Sequence, residues 1–188
     1  MIASRFNSQL IAGLLVTLLF GLSSASATEN PADKAFEQML RGIDTIPTRA
    51  SMEKRWPDAV ERLVSAAHQA KRDGYTRSRA ISFLSFFKDH PTVRNTLTEL
   101  LGDKKAGVRS IAIYTLARTY GDPGDASLVN TIETSLKDNV RDVKTHAVRG
   151  LRWVRHDTAV SLLKRIAKNA PDKSIRTLAD RTLKRRRF

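Results

Sequence analysis

The stretch Gly107-Val108-Arg109-Ser110-Ile111-Ala112-Ile113-Tyr114-Thr115-Leu116 decides the fold, because its pattern is written again at Asp142-Val143-Lys144-Thr145-His146-Ala147-Val148-Arg149-Gly150-Leu151. Each copy has a β-branched residue, a cation and a hydroxyl, with Ala four positions and Leu eight positions after the branched residue. Two further copies are Thr76-Arg77-Ser78-Arg79-Ala80 reaching Leu84 and Ile175-Arg176-Thr177-Leu178-Ala179 reaching Leu183. The four alanines are separated by 32, 35 and 32 residues. This spacing places three apolar side chains on one helical stripe, with the small one in the middle, where another helix can come close.

Between the copies lie matching first helices. Their stripes are Val60, Leu63, Val64 and Ala67; Val93, Leu97 and Leu101; Leu128, Ile132 and Leu136; and Ala159, Leu163, Ile166 and Ala167. Pro91, Asp125 and Asp157 stand where an N-cap or first-turn residue belongs. Gly74, Gly102, Gly121-Asp122-Pro123-Gly124 and Pro171 supply the breaks. Strand signals are almost absent, so the chain is all-α. Two helices in every 32–35 residues, four times over, describe a helical solenoid in which neither helix of a pair buries its stripe without neighbours.

These residues resemble the HEAT-repeat family, and among its members the short bacterial units of the phycobilisome-lyase type. The resemblance rests on the Val-Arg-x-x-Ala-x-x-x-Leu second helix and on an aspartate six residues before the cation, Asp103 before Arg109 and Asp138 before Lys144. It covers about residues 58–186. It implies a right-handed α-solenoid of about four helix pairs in which Asp and Arg link successive turns. The pattern lapses at the ends: Asp73 stands only four residues before Arg77, and Asn169 replaces the acid before Arg176. The resemblance specifies fold more than function, since one fold hosts many roles.

Residues 28–56 are expected to carry one helix, Pro31 to Gly42, that caps the exposed core of the first repeat, followed by an Ile46-Pro47 break. Residues 57–188 then form the repeat domain and its basic tail. The first 27 residues read as a cleaved secretory signal: Arg5, an apolar run from Leu10 to Leu22, then Ala25-Ser26-Ala27. That run is too short for a spanning helix, which needs about 20 residues. Its removal leaves 161 residues, enough for one domain with its own core. There is no cysteine, so neither disulfides nor thiolate metal sites are available. Export without disulfides points to a periplasmic or secreted protein, with the bacterial periplasm favoured.

Charge is distributed unevenly. Residues 28–140 hold 17 basic and 15 acidic side chains, whereas residues 141–188 hold 15 basic and 4 acidic. Such asymmetry concerns partners more than fold. In repeat register the second helices align Ser82, Tyr114, Arg149 and Arg181 in one column. Neighbouring columns hold Ser85, Ala117, Arg152 and Lys184, and then Phe86, Arg118, Trp153 and Arg185. The candidate partner-binding patch is therefore Arg149, Arg152, Arg181 and Lys184, flanked by Trp153 and Tyr114 and continued by Arg185, Arg186 and Arg187. A solvated, frayed basic end is the competing reading. Arg77, Arg109, Lys144 and Arg176 are assigned to the structural ladder.

Catalysis needs convergent groups, and few are present. The histidines His68, His90, His146 and His156 have no metal-ligand spacing, and no glutamate follows Glu133. No cofactor or metal motif is found. Asp122 and Asp125 lack the spacing of a calcium loop and are explained by a turn. The expectation is a non-enzymatic adaptor that binds another, acidic, protein through its concave face. The alternative is attachment to an anionic polymer or surface such as phospholipid, lipopolysaccharide, peptidoglycan or DNA. Export disfavours nucleic acid, and a lyase-type enzyme ranks last.

Overall fold

The computed structural model describes residues 30–186, so the expected signal sequence at residues 1–27 and Arg187 lie outside the described residues. Those residues form ten α-helices and two single 3₁₀ turns, with no strand among them. Helix starts follow local chemistry. In α1 (Pro31–Arg41) the Asn30 side chain accepts from the Ala32 N–H, and proline at the first position gives up no needed donor. Helix α3 (Ala59–His68) is followed by α4 (Gly74–Leu84), where Asp73 accepts from the Thr76 N–H at 2.8 Å. Helix α5 (Pro91–Glu99) starts on Pro91, and α6 (Ala106–Tyr120) follows it. Asp125 caps α7 (Ala126–Ser135), which leads to α8 (Arg141–Gly150). His156 caps α9 (Asp157–Asn169) and Asp172 caps α10 (Lys173–Lys184).

Two helices, not one, occupy residues 28–56. The second is α2 (Arg49–Arg55), set off by a reciprocal capping box in which Thr48 and Ser51 each accept the other's backbone N–H. Its seven residues bury only Met52, too little apolar periodicity to stand out in the sequence. Helix α1 packs on the α3–α4 pair. Phe36 meets Trp56 edge-on at 5.3 Å, the Trp56 indole donates to the Ala32 carbonyl, and Arg62 and Arg72 pair with Asp33 and Glu37.

The helices pack in sequence: α3 on α4 and α9 on α10 within pairs, and α4 on α6, α6 on α8 and α8 on α10 between them. One apolar core runs from Phe36 to Ala179. Ala80, Ala112, Ala147 and Ala179 are all wholly buried, as are Leu84 and Leu151. The seam between α6 and α8 is tightest at Gly150, where a Cβ would come within 2.8 Å of the Ala117 Cβ.

Ion pairs tie successive pairs together. Arg77 is wholly buried; it donates to the Ala67 carbonyl and reaches the Asp103 carboxylate at 2.5 Å. Arg109 makes a two-pronged contact with Asp138 at 2.7 and 3.0 Å and also donates to the Asp103 carbonyl. Burial pushes the Asp103 carboxyl up, but the Arg77 guanidinium and the Lys105 N–H overcome it and hold its pKa below the usual range. Arg109 does the same for Asp138 against a smaller burial penalty. Further along, Arg141 pairs with Asp172 at 3.2 Å, and Arg176 closes on the carbonyls of Ala170 and Pro171 instead of on an acid.

Candidate binding surface

The C-terminal ends of α8 and α10 border a groove of about 350 Å³. Four of its eight lining residues are Arg149, Arg152, Arg181 and Arg185, and none is acidic. Tyr114 of α6 and Trp153 form its aromatic wall, with Leu178 and Thr182 beneath. Equivalent offsets from the buried alanines explain the convergence. Arg149 lies two residues beyond buried Ala147, and Arg181 two beyond buried Ala179, so both project from the face opposite the packed stripe.

Helix α8 stops at Gly150, and residues 151–153 form a turn. Arg152 and Trp153 therefore sit on a turn, although their repeat register places them in a second-helix column. The turn is held from three sides. The Arg155 N–H donates to the Gly121 carbonyl at 2.6 Å. The Arg186 guanidinium donates to the carbonyls of Leu151 and Val154, each at 2.8 Å. Gly121 itself packs so closely that a Cβ would overlap the Trp153 carbonyl oxygen. With the turn fixed, the Trp153 indole reaches the Tyr114 hydroxyl at 3.4 Å and Arg152 lies over the Trp153 ring at 5.3 Å. His146 packs edge-on against Tyr114 and contacts the Asp142 carbonyl and carboxylate.

Seven of the nine residues singled out in the sequence have positions relevant to this groove, and six of them line it. Tyr114, Arg149, Arg152, Trp153, Arg181 and Arg185 come together. Lys184 does not line it; it pairs with Asp180 one turn back at 2.8 Å on the exposed side of α10. Arg186 turns inward to the carbonyls of the Trp153 turn, and burial pushes its pKa down from the ordinary arginine value, opposed by the charge of Asp157. Arg187 lies outside the described residues. Sequence reasoning missed the supporting role of Gly121 and assigned Arg186 to the partner-binding patch, where the structure makes it a support of the Trp153 turn. The Gly-Asp-Pro-Gly stretch was legible as a turn, but not as the bed of another turn 30 residues later.

The acids of this region are already engaged. Asp142 contacts His146, Asp172 contacts Arg141 and caps α10, and Asp180 contacts Lys184. Among the described residues, no carboxylate lies in ion-pair reach of Arg149, Arg152, Arg181 or Arg185. Asp125 caps the Leu128 N–H, accepts from Ser127 and pairs with Arg94, which together lower its pKa to about 2. Among the described residues no group of three or more His, Asp or Glu is placed to hold a metal ion, and no helix is long and apolar enough to cross a membrane. No protein-family model matches the chain, and no curated protein matches it.

Proposed function

We propose that this protein is an exported, non-enzymatic adaptor: a right-handed, HEAT-like α-solenoid of four helix pairs with an N-terminal cap that holds an acidic partner protein on its second-helix face. One observation carries this reading. Four arginines converge on a single groove with no carboxylate in its lining, while carboxylates elsewhere in the described residues have been drawn into pairs. Uncompensated arginines in a concave setting offer forked donors that match carboxylates and steer an acidic partner by long-range attraction. The solenoid description is supported by the serial packing of α4, α6, α8 and α10 and by the Arg–Asp links between pairs.

The test is capture from a periplasmic extract by the mature protein beside an Arg149→Glu/Arg181→Glu/Arg185→Glu variant, washed at low and high salt. All three side chains are exposed, so reversal removes the field without disturbing the core. The expected result is one acidic protein retained by the wild type, released by salt and absent from the variant. Identical captured sets from both proteins would refute the reading.

A further inference from the structure

The arginine groove does not end at α10's last turn. A second cleft of about 680 Å³ runs along the same two helices towards their N-terminal ends, and it shares Leu178 and Arg181 with the first. The two are halves of one valley between α8 and α10. Its chemistry changes along its length. One end holds Arg149, Arg152 and Arg185; Leu178 forms an apolar step in the middle; the other end presents the hydroxyls of Thr145 and Thr177 and the Arg141–Asp172 pair. The valley follows α10 from Ser174 to Arg185, which at 1.5 Å per residue is about 17 Å. That length takes about five residues of extended peptide.

Resting on the adaptor reading above, we infer that the valley is a peptide-binding channel whose occupant is an extended acidic segment of the partner, with an apolar side chain set on Leu178 between acidic neighbours. A strand-like peptide suits a narrow valley, because its side chains alternate between floor and walls while hydroxyls meet its backbone. A flat anionic membrane reaches the rim of such a valley but not its floor. Single-stranded nucleic acid needs open aromatic faces on which to stack, and here Arg152 covers the Trp153 ring while Tyr114 is held by His146.

The probe is the fluorescein-labelled pentapeptide Asp-Glu-Leu-Glu-Asp, titrated into the mature full-length protein by fluorescence anisotropy. An all-glutamate pentapeptide, phosphatidylglycerol vesicles and the periplasmic capture experiment run alongside. The expected result is saturable binding, about tenfold weaker for the all-glutamate peptide, since that replaces a buried leucine. Arg149→Glu with Arg181→Glu should weaken it at least about tenfold, and Thr177→Glu, at the opposite half of the valley, should do the same. Arg118→Glu, an exposed cation on α6 that lines neither half, should leave it unchanged. Melting curves confirm that each variant is folded. Equal binding of both peptides, or equal loss in Arg118→Glu, would overturn the channel and leave a diffuse charge effect. No peptide binding with continued capture of an acidic protein would overturn the channel alone. Vesicle binding in place of both would overturn the channel and the adaptor reading together.

Discussion

Arginines in the two halves of this molecule lead different lives. In the N-terminal half, Arg62 holds Asp33 and Asp58, Arg72 holds Glu37, Arg77 holds Asp103, Arg94 holds Asp125 and Arg109 holds Asp138. All of these but the Arg62–Asp58 pair at the start of α3 link separate elements, so charge there is part of the architecture. At the C-terminal end of the α8–α10 valley, Arg149, Arg152, Arg181 and Arg185 have no acidic counterpart among the described residues. The difference is compositional before it is geometric: 15 acids accompany 17 bases in residues 28–140, and 4 accompany 15 in residues 141–188. A helical stack that pairs Arg141, Arg155 and Arg165 with acids but leaves the four groove arginines without one has that set available for a partner.

The sharpest way to break this contrast is on the paired side. Asp103→Ala leaves Arg77 buried with half its partners gone, and should destabilise the fold by about 3–5 kcal/mol, measured by urea denaturation. A loss below about 1 kcal/mol would mean that the buried pairs are not structural. Next in size is Gly121→Ala, whose Cβ meets the Trp153 carbonyl. It should cost about 1–3 kcal/mol and also change Trp153 fluorescence, because the strained contact lies under the groove's aromatic wall. A stability loss with unchanged fluorescence in a variant carrying Trp56→Phe to isolate the signal would separate the turn from the site.

Smaller again is Asp125→Ala, which removes the α7 cap and should cost about 1 kcal/mol. It also carries a pH signature. The folded carboxyl titrates at about 2, below the unfolded value of about 3.9. Its contribution is therefore complete above the unfolded pKa and is lost as pH falls towards 2. The difference in stability between wild type and variant should shrink across that window, and a constant difference would show that the cap acts without its charge. Asp103 and Asp138, held low in the same sense, make the whole fold lose stability on acidification. Smallest of all is reversal of Arg149, Arg181 and Arg185, which should change stability by no more than about 0.5 kcal/mol per site while removing the acidic partner.

Most of the helical framework was legible from one periodicity. The Ala and Leu columns predicted the buried stripe, and Pro91, Asp125 and Asp157 predicted helix starts that the structure places at or beside those residues. The grouping of Tyr114, Arg149, Arg152, Trp153, Arg181 and Arg185 followed from the same register, because residues in equivalent columns of stacked helices become neighbours. What escaped has a common cause. Helix α2 rests on a capping box and a single buried methionine. Arg186 belongs by sequence to a basic tail, yet two carbonyls exposed where α8 ends draw its guanidinium inward. Lys184 finds Asp180 one turn away. Each depends on particular local partners, a cap, an acid one turn away or two carbonyls left open, and a repeat pattern does not encode those.

The most direct measurement is a side-by-side thermal melt of three proteins: wild type, Asp103→Ala and the Arg149→Glu/Arg181→Glu/Arg185→Glu variant. The contrast between paired and uncompensated arginines predicts a fall of roughly 10 °C for Asp103→Ala, from about 3–5 kcal/mol in a domain of this size, and a curve close to wild type for the triple reversal. If the triple variant melts as early as Asp103→Ala, those arginines belong to the fold, and the account of the groove as a partner site is contradicted.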